Sequence, residues 1–232
     1  MIALLSHEFC AEFEQLTGIK SYPLKPYSKL DLPVSSHADM LLCVIEKTIF
    51  CYEEYYNKNS EAFKAAEEYG YTVSFVSSKC EKNYPNDIAL NVLIVGKIIV
   101  CNVKHTAKEI IDFAKKLNYK IINVKQGYSA CSTAVLDENT VITSDKGIAR
   151  ELMLHGISVY TIDNEKIILR GYNCGFIGGA SAVVDGNFIV FGDVSTFSSK
   201  NIIDEALKAT KKELVFIPKN QITDFGGVKI FV

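Results

Sequence analysis

The stretch Lys125-Gln-Gly-Tyr-Ser-Ala-Cys-Ser-Thr133 places a thiol among small residues between two strongly apolar runs. Upstream, residues 119–124 read as a buried strand. Downstream, Ala134-Val135-Leu136 opens another, so Cys131 stands where the chain leaves a core and re-enters it. Such junctions carry chemistry more often than strand centres do, and a thiolate there is a nucleophile for a planar, electron-poor carbon. The competing reading is plain packing, because free cysteine is among the most often buried residues and its reactivity depends on surroundings that a sequence does not display. The other cysteines are Cys10, Cys43, Cys51, Cys80, Cys101 and Cys174. The total of seven is odd and no pair is spaced C-x-x-C, which suggests neither a disulfide framework nor a zinc site. Reduced thiols and no metal or other cofactor are expected.

The chain around this stretch is apolar enough to bury a large core, with 48% hydrophobic residues in 232. A net charge of −2, with lysines scattered along the chain, leaves no electrostatic footprint for nucleic acid. The first residues lack a basic segment ahead of an apolar one, and the longest apolar run, residues 88–101, is broken by Asn91, Gly96 and Lys97. A soluble, cytoplasmic protein with a small-molecule partner and no membrane contact is therefore expected, its oligomeric state open.

One supersecondary unit recurs, strand–strand–helix–strand. It is read at residues 37–76, 87–124, 131–162 and 178–217, with helices expected at 60–69, 106–117, 146–154 and 200–210. Apolar residues fall at helical spacing in each helix, as at Ile110, Phe113, Ala114 and Leu117. Tight turns such as Asp185-Gly-Asn187 join the strand pairs, and Tyr69-Gly70 and His155-Gly156 supply left-handed helix caps. Residues 222–232 offer strand material without a helix, and residues 1–22 offer a strand, a helix over 7–16 and a second strand. Together the two termini make a fifth unit, which requires one domain closed into a ring with no terminal repeat left uncapped. The Pro-containing residues 21–36 would connect the split unit to the first whole one.

In such a ring the first strand of each unit starts at the central axis. His37 and Asp39, Asp87 and Asn91, Cys131 and Thr133, Gly179 to Ser181, and Asp224 to Gly227 converge there. Each has a bland alternative. His37 could be an ordinary surface histidine, and Gly178-Gly179 could serve close backbone packing alone. Asp39, on an otherwise apolar strand, could pair with a lysine or cap a turn, since leaving it unpaired inside a sheet is costly. Asp145 reads as a helix start, Asp193 as a turn, and Ser6-His7-Glu8 as a helix N-cap.

Five ββαβ units in a closed, five-fold pseudosymmetric ring, an α/β propeller, resemble the pentein fold of the guanidino-modifying enzymes: arginine and agmatine deiminases, dimethylargininases and amidinotransferases. Two motifs sharpen the resemblance. His37-Ala-Asp39 is similar to the His-x-Asp strand of these enzymes, and Gly127-Tyr-Ser-Ala-Cys-Ser-Thr133 to their glycine-rich approach to a Cys-x-Thr nucleophile. The cysteine lies two units after the histidine in both. The chain departs from the pattern in carrying the cysteine in its third unit, and in lacking the acid that follows the Gly-Gly pair; Asp224 is the nearest one. It also resembles uncharacterised bacterial proteins of this fold that share His-x-Asp, Gly-Tyr-x-x-Cys and Gly-Phe-Ile-Gly-Gly-Ala-Ser runs.

The resemblance implies a cysteine-dependent hydrolase or transferase acting on a C–N bond of a small amidino or guanidino compound. Cys131 would attack the planar carbon, His37 would protonate the departing amine and then activate water against a thiouronium, and Asp39 would hold the cation, with Asp224, Asn91, Thr133 and Ser181 as further substrate-binding residues. Two alternatives stay open: a non-catalytic pentein that binds or assembles, whose axis would be blocked or apolar, and a thiol enzyme acting on an amide, which would need an oxyanion pocket.

Overall fold

The computed structural model describes residues 1–163, 166–217 and 221–232. Five three-stranded sheets repeat one connectivity. In each, an inner strand pairs antiparallel with a middle strand, which pairs parallel with an outer strand reached through a helix. Four sheets follow chain order: Cys43–Ile45, Thr48–Cys51 and Thr72–Phe75; Leu93–Val95, Ile98–Cys101 and Lys120–Asn123; Thr133–Asp137, Thr140–Thr143 and Ser158–Thr161; and Ser181–Val184, Asn187–Val190 and Glu213–Phe216. The fifth joins the termini. Val228–Phe231 pairs antiparallel with Ile2–Ser6, Ile2 opposite Phe231, and Ile2–Ser6 pairs parallel with Lys20–Leu24. Three neighbouring pairs of inner strands touch around the axis, and all five inner strands line one axial cavity, so the chain forms a closed ring of five ββαβ units.

Local chemistry explains the repeat. The two-residue turn Asp185-Gly186 has positive φ at both positions, 48° and 81°, the twist that lets a hairpin close without splaying its strands. Helix Lys108–Lys116 buries Ile110, Ile111 and Ala114 and carries Lys115 and Lys116 in its last turn, where a helix favours positive charge. Helix Lys146–Leu154 starts at Asp145, whose side chain accepts from the Ile148 amide at 2.8 Å, as its sequence suggests. Asp193 accepts from the Ser195 amide at 2.7 Å in a local turn. Middle strands are buried on both sides, as at Ile49-Phe50-Cys51 and Val141-Ile142, because helices cover one face and the neighbouring sheets the other. Each such side chain contributes about 2 kcal/mol of burial. Among the described residues no helix is long and apolar enough to cross a membrane.

Three expectations change. Ser6 caps no helix: the first one runs Cys10–Thr17 from Phe9, with no side-chain cap, and the Ser6 hydroxyl bonds Ser36 at 2.8 Å. An additional helix, Glu53–Lys58, precedes Ser60–Glu68. Most consequential for function, every inner strand starts later than its apolar pattern suggests. His37 is the N-cap of a short helix, Ala38–Leu41, and neither it nor Asp39 is on a strand. Likewise Asn91, Cys131, Gly179 and Asp224 all lie ahead of their strands. The reason is shared by all five units: strands this close to a five-fold axis can pair for only three to five residues, and the apolar residues before them pack in turns. The residues with chemistry thereby sit on a ring of turns at one end of the axis.

The axis itself opens on a cavity of about 260 Å³ lined by inner-strand residues of all five sheets, including Val44, Ile94, Val135, Val183 and Val228, and by Asp39.

Candidate active site

Asn91 holds two of these turns together. Its Oδ1 accepts from the Ala130 amide at 2.8 Å and the Cys131 amide at 3.4 Å, which fixes the amide's orientation. Its Nδ2 then faces the Asp39 carbonyl at 3.1 Å and the Cys131 sulfur at 2.8 Å. One buried side chain therefore ties the His37–Asp39 turn to the thiol. Cys131 lies in a helical turn closed by the bond from the Ser132 amide to the Tyr128 carbonyl, 2.9 Å, and only 4% of its surface is exposed.

Asp224 is anchored by backbone alone. Its Oδ1 accepts from the Gly226 amide at 3.0 Å and its Oδ2 from the Phe176 amide at 2.9 Å, and Oδ1 stands 3.7 Å from Nδ1 of buried His37. It thus faces the imidazole with its own hydrogen bonds already made, a place suited to orienting His37. Three glycines make this closeness possible. A β-carbon at Gly226 would fall 2.2 Å from that of His37, one at Gly179 2.0 Å from Oδ1 of Asp224, and one at Gly178 2.2 Å from the Ala130 carbonyl. The Gly178-Gly179 pair therefore serves tight packing of the site's walls, the blander of its two readings.

Charge in the site is one-sided. Burial pushes the Cys131 thiol well above its ordinary range, the Asp39 and Asp224 carboxylates push it further, and only Asn91 pulls it back. Burial also raises Asp224 to about 6, His37 and the two backbone amides opposing and Asp39 assisting. Among the described residues no N–H or O–H donor reaches either oxygen of buried Asp39, neither the lysine nor the turn amide its sequence position suggests; the donor beside it is the Cys131 thiol.

The thiol, His37 and Asp224 share a cavity of about 250 Å³. Val34, Met40, Leu169 and Phe176 give it apolar walls, and Asp87 and Tyr128 stand on it as well. Asp39 lies behind Cys131, on the wall of the axial cavity. Thr133 and Ser181 also face the axial cavity, their hydroxyls bonded to Thr143 and to the Ile177 carbonyl. The structure thus gathers Cys131, His37, Asp224 and Asn91, with Asp39 adjacent, and leaves Thr133 and Ser181 apart. Sequence reasoning missed the segment 169–176 as a cavity wall, since no repeat or motif marks it, and gave no role to Asp87 and Tyr128. Among the described residues no three His, Cys, Asp or Glu side chains are placed to hold a metal ion.

Asp224 predicts a pH dependence of folding. A carboxyl that titrates near 6 when folded and near 4 when unfolded binds its proton more tightly in the native state, so its contribution to stability is full below pH 4 and is lost as pH rises through 6. The expected loss is about 3 kcal/mol between those limits. Denaturant titrations of wild type and Asp224→Asn at pH 4, 5, 6 and 7 check it; a pH-independent difference between the two would refute it.

A model of a family described as "Family of unknown function (DUF6873)" matches residues 5–229. No curated protein matches the chain. Among solved structures, DDAH from Pseudomonas aeruginosa, a cysteine-to-serine mutant complexed with citrulline, is similar at 11% identity and a TM-score of 0.56, over 90% of this chain and 78% of that one. Agmatine deiminase of C. jejuni is similar at 14% and 0.53, over 93% and 75%. The product-bound N-terminal domain of ArgZ, an arginine dihydrolase from cyanobacteria, is similar at 11% and 0.53, over 90% and 77%. At such identities the likeness establishes the fold, which is the pentein ring.

Proposed function

The chain belongs to the DUF6873 family, and from that footing we propose that it is a cysteine-dependent hydrolase or transferase that breaks a C–N bond of a small amidino or guanidino compound. The observation that carries the proposal is a buried thiol on a cavity, flanked by two carboxylates and a histidine, with no lysine or arginine among the described residues of the cavity wall. Such a site lacks positive charge, and a planar cation supplies it.

The same charge activates the thiol. In the empty site Cys131 keeps its proton, because a thiolate would sit beside Asp39 and Asp224. A bound amidinium neutralises that field, so the thiol can pass its proton to His37 and attack the planar carbon. The tetrahedral adduct expels an amine, which takes the proton back from His37 and leaves a Cys131 thiouronium. Water, deprotonated by His37, adds to the same carbon; the C–S bond breaks and the thiol is restored. An acceptor amine in place of water would make the enzyme a transferase. The binding-module alternative expects a blocked or apolar axis, and the axial cavity with Asp39 and hydroxyls on its wall supports it less well.

The test is charge-selective alkylation. At pH 7, chloroacetamidine, a cation, is expected to modify Cys131 at least about 100-fold faster than neutral chloroacetamide, since a bound cation offsets the Asp39 and Asp224 carboxylates that hold the thiol protonated. Peptide mass mapping identifies the cysteine. Equal rates with both reagents, or labelling no faster at Cys131 than at the other cysteines, would exclude the nucleophile.

A further inference from the structure

The wall of the Cys131 cavity is of two kinds. His37 and Asp224 stand on it with the thiol and suit a planar cation. Much of the remainder is core: Val34, Met40 and Leu169 belong to the same hydrophobic cluster as Cys131, and Phe176 packs against that cluster. The other polar side chains of the wall are tied to one another or turned away. Asp87 accepts from the Tyr128 hydroxyl on Oδ2 at 2.7 Å, and its Oδ1 is closed off. The Tyr172 hydroxyl donates at 3.3 Å to Asp31, which is not on the cavity wall. Asn173 is exposed and uncharged. Arg170 opens on the neighbouring cleft with Glu8.

We propose that the substrate carries a short, uncharged hydrocarbon tail on its amidino or guanidino group, and is a monocation without the ammonium or carboxylate end of an amino acid. The proposal rests on the reading of Cys131 as the nucleophile and names the substrate class for that site. Three lines carry it. The walls formed by Val34, Met40, Leu169 and Phe176 reward an apolar tail, since each methylene taken from water onto such a surface tightens binding about four-fold. A charged tail finds no matching partner: among the described residues the wall has no lysine or arginine for a carboxylate, and the Asp87 carboxylate that could face an ammonium is occupied by Tyr128. Such a tail would lose its hydration without compensation. The size agrees as well. An apolar cavity of about 150 Å³ takes a six-carbon ring, so by the same measure one of about 250 Å³ holds roughly ten non-hydrogen atoms, a guanidinium group and about five or six carbons.

Titration calorimetry with methyl-, ethyl-, propyl- and butylguanidine, and with aminobutylguanidine and guanidinobutanoate as charged-tail comparisons, decides the matter. Affinity is expected to rise about three- to four-fold per methylene along the alkyl series. Butylguanidine is expected to bind at least about ten-fold tighter than either charged compound. Two variants of nearly unchanged volume, Leu169→Asn and Val34→Thr, are expected to lower the alkyl-to-amine ratio at least about three-fold each; being a ratio, it cancels any general change in the site. If one of the two does not fold, the other gives the same reading. A flat alkyl series, a charged compound that matches butylguanidine, a ratio unmoved by the variants, or no binding by any of the six would each overturn the proposal. Calorimetry does not use the thiol, and chloroacetamidine labelling does, so the two readings fail separately. A tail preference without selective labelling of Cys131 would strike the nucleophile and leave the substrate class standing, whereas selective labelling without a tail preference would do the reverse.

Discussion

Asp39→Asn is expected to make the protein more stable and to silence it. Both oxygens of Asp39 are buried and, among the described residues, reached by no N–H or O–H donor, leaving the weakly donating Cys131 thiol beside them, and its negative charge lies close enough to Cys131 and Asp224 to raise both. Removing an uncompensated buried charge while keeping the side chain's shape relieves a desolvation penalty of several kcal/mol, offset in part by an amide that is also imperfectly paired. A net gain of about 1–3 kcal/mol follows, which for a chain of this size is a rise of several degrees in Tm. The same change removes one of the two anions whose field a bound amidinium would neutralise, so turnover is expected to fall about 1,000-fold and the cationic selectivity of Cys131 labelling to fall about ten-fold or more, towards parity. Thermal unfolding and the two labelling rates check both halves. If Asp39→Asn were less stable than wild type, Asp39 would have a structural partner and the idea of a charge held ready for a ligand would fail.

That expectation shows where the sequence was legible. The ring was readable because each unit repeats its own local logic: helical spacing at Ile110 and Ala114, a turn with positive φ at Asp185-Gly186, and strand material split between the two termini. The axial convergence of His37, Asn91, Cys131 and Asp224 follows from the repeat as well, since equivalent positions in a ring meet at its centre. The exact roles were not legible for a physical reason. Whether Asp224 faces a substrate or a histidine depends on where two backbone amides point, and those belong to Gly226 and to Phe176, 48 residues away. The strand starts were misplaced because Ala38, Met40 and Leu41 are buried in a helical turn as fully as they would be in a strand. The repeat placed Asp87 at the axis, but its tie to Tyr128 was not legible, since that hydrogen bond spans 41 residues between two units.

Gly178→Ala is expected to cost about 3 kcal/mol or more and to disable Cys131 in whatever fraction remains folded. The added methyl would meet three carbonyl oxygens, those of Ala130, Thr133 and Cys131, at 2.2, 2.5 and 2.7 Å. Backbone oxygens cannot rotate aside as a side chain can. The turn that carries them is held from behind by Asn91 on the Ala130 amide and by the Thr143 hydroxyl on the Ser132 carbonyl, so yielding to the methyl means moving the thiol or breaking those bonds. Gly186→Ala serves as the comparison: it has positive φ and nothing within 4 Å of the new methyl, so its penalty is backbone strain alone, about 1 kcal/mol. Denaturant unfolding of the two variants, with Cys131 labelling of the folded fraction, separates the causes. A larger loss at Gly178 accompanied by slower labelling fits a glycine that lets the wall of one unit close on the nucleophile of the next. Equal losses would mean that the site is built more loosely than these distances require, and that the thiol's position does not depend on its neighbour in the ring.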